Sequence, residues 1–127
     1  MAETIDFELV SPERLLFAKP VEMVVVPGTE GDLGILPRHA PLIATVRPGV
    51  IAIFAGGKVT ERIFVAGGFA EVTGERCTVL AERAMPLADI DRAAVERQLK
   101  EDREAADTAA VEVGEAMLAA LDNPSYH

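Results

Sequence analysis

The sequence predicts a β-rich domain, a sandwich or flattened barrel, followed by a short helical region. Three observations carry this. Nine of the ten glycines and seven of the eight prolines lie at or before residue 86. Up to that point, short runs of apolar residues recur with period two, the pattern of half-buried strands. From Leu87 onward the chain is rich in alanine and charge, with Gly114 as its only interior breaker. Many short strands punctuated by Gly and Pro suit two packed sheets, and the change of composition marks off residues 1–86 from residues 87–127.

In chain order, Ile5, Phe7 and Leu9 alternate with Asp6 and Glu8, giving a first strand with one apolar face. Further strands are expected at 15–18, 21–26, 42–46, 50–54, 62–66, 69–73 and 77–82. Gly56-Gly57 reads as a tight hairpin, because glycine reaches positive φ without a steric penalty. Thr73-Gly74-Glu75-Arg76 marks a second hairpin. Beyond residue 86, Asp89 or Asp91 is placed to cap a helix, and Glu96 with Lys100 has the favourable i,i+4 order. Val95 and Leu99 share one face, while Val113, Met117 and Leu121 share another. Asp107-Thr108 is placed to cap a second helix, giving a helical hairpin; one long kinked helix is the alternative. Alanine fills much of the rest, so at about 25 cal/mol per Å² these helices are expected to dock weakly on the sandwich.

The segment VPGTEGDLGILPRHAPL, residues 26–42, reads as a long irregular loop. It sets Gly28, Gly31 and Gly34 among Pro27, Pro37 and Pro41, with Glu30, Asp32, Arg38 and His39 expected within reach of one another. Its glycine spacing has no Lys-Ser or Lys-Thr after it and no helix pattern following, so it fails the context of a phosphate-binding loop. The two acids would also repel phosphate. The glycines serve mainly as turns, but long ordered loops in small domains usually carry function. Contact with another protein is the role that remains.

Composition narrows the field further. Half of the 127 residues are apolar, enough for one domain with a real core. Twenty-one acids against twelve bases leave a net charge of −9, which argues against nucleic acid, a ligand bound through Lys and Arg. One cysteine, Cys77, rules out an intramolecular disulfide and fits a reducing compartment. The first residues place acids where a signal peptide needs bases, and no apolar run nears the ~20 residues of a membrane span. The expectation is a soluble, cytoplasmic-side protein that reaches a membrane only through another protein.

Chemistry is poorly provided for. Only His39 and His127 offer an imidazole base, and Cys77 alternates with Arg76 and Thr78 in a strand, where a buried inert thiol is expected. No HxxxH pair, CxxC pair or dense carboxylate set suggests a metal. No catalytic residue, metal or cofactor is expected.

Five stretches together resemble one family. VSPE at 10–13, PGTEGDLGILPRHAPL at 27–42, RPGV at 47–50, FVAGGFAEV at 64–72 and TVLAERA at 78–84 are similar to the epsilon subunit of the bacterial F-type ATP synthase, counterpart of the mitochondrial delta subunit. The resemblance implies a ten-stranded β-sandwich followed by a two-helix hairpin. It implies a non-catalytic rotor component of the central stalk, at the cytoplasmic face of the bacterial inner membrane, that couples proton translocation to ATP synthesis. The loop residues Glu30, Gly31 and Asp32 would meet basic polar loops of the c-ring, and Arg38, His39, Ala40, Pro41 and Leu42 would meet gamma, with transient contact to the alpha–beta head.

The sequence also departs from the family. Members that bind ATP carry an I/L-D-x-x-R-A pattern on the first helix and further arginines on the second. Here Ile90 and Asp91 match, but Ala94 stands in the arginine's place and no Lys or Arg follows Arg103. Residues 87–127 hold ten acids and four bases, all four between Arg92 and Arg103. ATP binding is therefore not expected. The resemblance also implies an inhibited state in which the C-terminal helices extend toward the catalytic head and basic residues meet an acidic segment of the beta subunit; here like-charge repulsion should weaken that contact for the second helix. A nucleotide-sensing regulatory subunit is the competing reading, and a small enzymatic β-domain a third.

Overall fold

A computed structural model describes residues 3–123. It contains ten strands and two helices: β1 (Ile5–Val10), β2 (Leu15–Val21), β3 (Met23–Gly28), β4 (Gly31–Ile35), β5 (Leu42–Val46), β6 (Gly49–Ala55), β7 (Lys58–Val65), β8 (Gly68–Val72), β9 (Arg76–Ala81), β10 (Ala84–Pro86), α1 (Arg92–Glu104) and α2 (Thr108–Asp122). The strands are hydrogen-bonded in the order β10-β7-β6-β3-β5-β8-β9-β1-β2, with β4 on the flank of β3. Only β1 and β9 run parallel among these pairs. The sheet folds over where β3 hands on to β5, a junction of one register pair, Gly28 with Val46. Two layers result, β10-β7-β6-β3-β4 and β5-β8-β9-β1-β2.

Alternation explains the core between them. Ile5, Phe7 and Leu9 of β1 and Cys77, Val79 and Ala81 of β9 face inward, and Val24, Val26, Ile35, Ile51, Ile53, Ile63 and Val65 meet them from the other layer. All are buried, each large aliphatic side chain contributing about 1.5–3 kcal/mol over exposure. Phe7 stacks at a tilt on Phe17 of β2, with centroids 5.9 Å apart. On its outer edge β2 bears Lys19 and Pro20, residues that discourage pairing with another chain. Lys19 also reaches across to Glu61 of β7 at 2.6 Å.

β6 and the end of β7, Ile63–Val65, are apolar on both faces, because the second face is covered by the helices. Phe64 there packs with Ile90, Met117 and Ala120 in a separate, smaller cluster. The two helices form the expected hairpin rather than one long helix. Asp91 caps α1 by accepting from the amides of Ala93 and Ala94. Asp107 caps α2, accepting from the Ala110 amide at 3.1 Å. Between them the chain closes α1 with the amides of Ala106 and Asp107 bonded back to Arg103 and Asp102. That pairing requires a left-handed residue, here Ala106 at φ 55° where glycine is usual. Gly114 is explained by packing: a Cβ there would lie 2.9 Å from Leu99 Cδ1, so its absence lets the helices approach. Arg92–Asp122 and Arg103–Glu115 ion pairs fasten the hairpin to itself.

Three expected features change. Residues 26–42 are not one long loop: 31–35 form β4, paired to β3 from Gly28↔Gly31 to Val24↔Ile35 around a two-residue turn, Thr29-Glu30. Strand 62–66 begins earlier, at Lys58, and β10 is an added strand of three residues on the edge of β7.

Candidate functional site

The Thr29-Glu30 turn is shaped by its flanking glycines. Gly31 has φ 137°, and a Cβ on Gly28 would come within 2.6 Å of the Gly31 carbonyl oxygen. The turn is tied to β5: the Thr29 amide donates to Thr45 O at 3.0 Å, and the two threonine hydroxyls lie 2.7 Å apart. Glu30 at the tip is exposed. Asp32 is not presented as Glu30 is, because its carboxylate accepts from the Arg47 guanidinium at 2.7 Å. In the sequence the two acids are equivalent; the fold separates them.

Arg38 and His39 stand at the other end of β4, roughly 17 Å along the strand from the turn, so they do not gather with Glu30 and Asp32 as expected. Arg38 instead pairs with Glu3 at 2.6 Å. Its backbone takes φ 67°, uncommon for a side-chain-bearing residue, with its amide bonded to Gly74 O at 2.8 Å. The His39 amide closes a turn to Leu36 O, and its Nδ1–H donates to Ala40 O at 2.7 Å, which fixes the tautomer. Residues 36–41 thus form a short, internally bonded loop that leads into Leu42 and β5. His127 lies outside the described residues.

That loop adjoins a feature the sequence reading missed. On the outer face of the second layer, Phe69 of β8 lies beside Leu80 of β9, Leu80 beside Val10 of β1, and Val10 beside Leu15 of β2. Ile43 of β5 joins them one diagonal away, next to Glu71. Ile43 is 74% exposed, Leu15 57%, Phe69 56% and Leu80 44%. Single exposed apolar side chains are ordinary, but a contiguous stripe across five strands marks a surface made for a partner. The signal was present as strands with apolar residues in both phases, Leu42-Ile43 and Val79-Leu80 among them.

The residues of the partial nucleotide pattern lie in a cleft of about 600 Å³ between the hairpin and the sandwich. Ile90, Asp91 and Ala94 line it, together with Glu82, Asp89, Asp102 and Asp107 and one cation, Arg83. The Asp91 carboxylate is spent on the helix cap. A triphosphate would meet five carboxylates there against one guanidinium, an unfavourable balance. Cys77 is buried, and desolvation pushes its thiol up to about 12, so it stays protonated and unreactive at neutral pH. Among the described residues, no group of three or more His, Cys, Asp or Glu side chains is arranged to hold a metal. No described helix is long and apolar enough to cross a membrane.

Comparison with known proteins agrees with this architecture. Residues 4–87 match the family described as "ATP synthase, Delta/Epsilon chain, beta-sandwich domain". An ATP synthase epsilon chain of Rhodospirillum rubrum is 64% identical over 118 residues, covering 91% of this chain and 88% of its own. One from Parvibaculum lavamentivorans is 50% identical over 124 residues, covering 97% and 94%. Among solved structures, a chain of the Euglena gracilis mitochondrial ATP synthase, in an assembly described as OSCP/F1/c-ring, superposes with a TM-score of 0.81 at 25% identity. That superposition covers 93% of this chain and 81% of the other.

Proposed function

The chain belongs to the family of ATP synthase epsilon chains, and from that premise we propose that it is a non-catalytic rotor subunit, coupling the c-ring to the catalytic head by binding gamma. The observation that carries this is the exposed apolar stripe of Ile43, Phe69, Leu80 and Leu15; the 38–41 loop joins it only along the chain, since Leu42 turns inward and packs against the core. A sandwich needs no such stripe for its own stability. It supplies the dry centre of an interface with gamma, with Arg38 and His39 at its rim. On this reading the Glu30–Gly31–Asp32 turn, far along β4 from that rim, meets the basic loops of the c-ring, with Glu30 as the presented acid and Asp32 held by Arg47. One rigid layer-pair then spans both partners, as a torque-bearing joint requires. The Euglena relative comes from an assembly that contains a c-ring, which supports the same arrangement.

Membrane association would be peripheral, through the complex, on the cytoplasmic face of the bacterial inner membrane. The acidic cleft and the absence of second-helix cations disfavour the nucleotide-sensing reading and make this hairpin a weak inhibitor. Replacing Phe69 and Ile43 together by Asp tests the gamma interface. Both side chains point outward, so the sandwich should fold while co-purification of gamma is lost. Undiminished recovery of gamma with the folded double variant would refute the assignment.

A further inference from the structure

We propose that Arg47 is a positioning residue that locks the Glu30 turn to the sheet layer bearing the apolar stripe. This role rests on the rotor reading, in which turn and stripe meet different partners. The two layers share one register pair at this end, Gly28 with Val46, and β3 is held by β6 only at Met23–Val25, so few bonds oppose movement of the β3–β4 hairpin tip. Arg47, immediately after β5, prevents it. Its amide donates to Pro27 O at 2.8 Å. One guanidinium nitrogen donates to Gly28 O at 2.5 Å and the other to Asp32 Oδ1 at 2.7 Å. A single planar fork therefore grips both strands of the hairpin, β3 at Gly28 and β4 at Asp32, from the end of β5. The threonine pair Thr29 and Thr45 adds a second grip on the turn itself.

The chemistry is specific to arginine. Its donors are held in a fixed plane and reach two acceptors at once, whereas a lysine ammonium on a flexible stem would serve one of them well. Burial does not dictate the choice, since the side chain is partly exposed. Next to it, Gly49 leaves room for Pro27, whose Cβ would stand 3.0 Å from a Cβ there, so the hairpin root is seated as well as bonded. The consequence is a division of labour between the two acids: Asp32 anchors the turn and Glu30 faces outward. Force applied at Glu30 passes through the Arg47 fork into β5, and through β5 to β8 and the stripe.

Hydrogen exchange on the full chain and coupling in the assembled complex test this together. In Arg47→Ala the Thr29 amide should exchange about tenfold faster, while core amides such as those of Phe7 and Val79 keep their rates. Proton-driven ATP synthesis by the complex should fall in Glu30→Ala and in Arg47→Ala, with Arg47→Lys partly restored. The double variant Glu30→Ala/Arg47→Ala should be no worse than the poorer single one, because both losses pass through the same turn. Additive losses, or unchanged Thr29 exchange, would overturn the clamp. So would normal coupling in Arg47→Ala beside impaired coupling in Glu30→Ala, which would leave the c-ring contact standing. Normal coupling in both variants, with the turn loosened, would remove the c-ring contact and the clamp with it. Asp32→Asn supplies the same test should Arg47→Ala not fold: faster Thr29 exchange with impaired coupling supports the clamp, and unchanged exchange overturns it.

Discussion

Phe7 in the sandwich and Met117 in the helical hairpin are both buried, yet their surroundings differ in kind. Phe7 belongs to a core of seventeen buried residues drawn from nine of the ten strands, in which strands far apart in sequence meet face to face. Met117 belongs to a cluster whose other buried members are Phe64, Ile90 and Ala120. The hairpin's two ion pairs, Arg92–Asp122 and Arg103–Glu115, join helix to helix, and no ion pair among the described residues joins helix to sandwich. The contrast teaches how one short chain divides rigidity. The sandwich is held by many mutually dependent contacts, whereas the hairpin is held firmly to itself and lightly to its support.

The sharpest way to break that comparison is to damage each region separately. Phe7→Ala should cost about 3–5 kcal/mol, the range for truncating a buried aromatic, and should lower the urea midpoint of the whole chain. A loss under 1 kcal/mol would mean the sandwich core is no more cooperative than the hairpin.

A smaller effect is expected from removing the hairpin. Residues 1–86 should retain one cooperative thermal transition and bind gamma, at a stability loss of about 1.5–3 kcal/mol, chiefly from uncovering Phe64. A molten or insoluble fragment would show that the helices complete the core rather than rest upon it.

Smaller again is Ala106→Gly. A left-handed alanine at the helix end is strained where glycine is not, so the substitution should stabilise the hairpin by about 0.5–1 kcal/mol. Slower amide exchange in α1 and α2, with sandwich exchange unchanged, is the expected reading. Faster exchange would mean that the flexibility added to the unfolded chain outweighs the relief.

The smallest effect concerns activity. Deleting residues 104–127 should leave ATP hydrolysis by the purified complex nearly unchanged, because α2 carries only acids and would face an acidic beta segment across a short, weakly screened distance. A large rise in hydrolysis would show that Arg92, Arg97, Lys100 and Arg103, or apolar packing by Met117 and Leu121, suffice for inhibition.

The difference between the regions also governs what could be read in advance. Caps and hairpins are local: Asp91, Asp107, Gly56-Gly57 and Thr73–Arg76 all act where the sequence placed them. β4 escaped notice because Gly31-Asp32-Leu33-Gly34-Ile35 has little strand propensity of its own, and exists as a strand through its pairing with β3 and the burial of Ile35. β10 is too short for periodicity to register. Arg38 looked like a free interface cation, and only the fold brings Glu3 to it across thirty-five positions.

By itself, the sequence determined the two-part architecture, most strand positions, both helix caps, an inert cysteine and the family. Those properties follow from backbone preference and from side-chain periodicity, which each segment carries in its own residues. Tertiary structure alone decided that Asp32 is anchored by Arg47, fifteen positions away, while Glu30 is presented. It alone aligned Phe69, Leu80, Val10 and Leu15 into one exposed stripe. Register across a folded sheet sets such neighbours, and register is a property of strand pairs that no single segment contains.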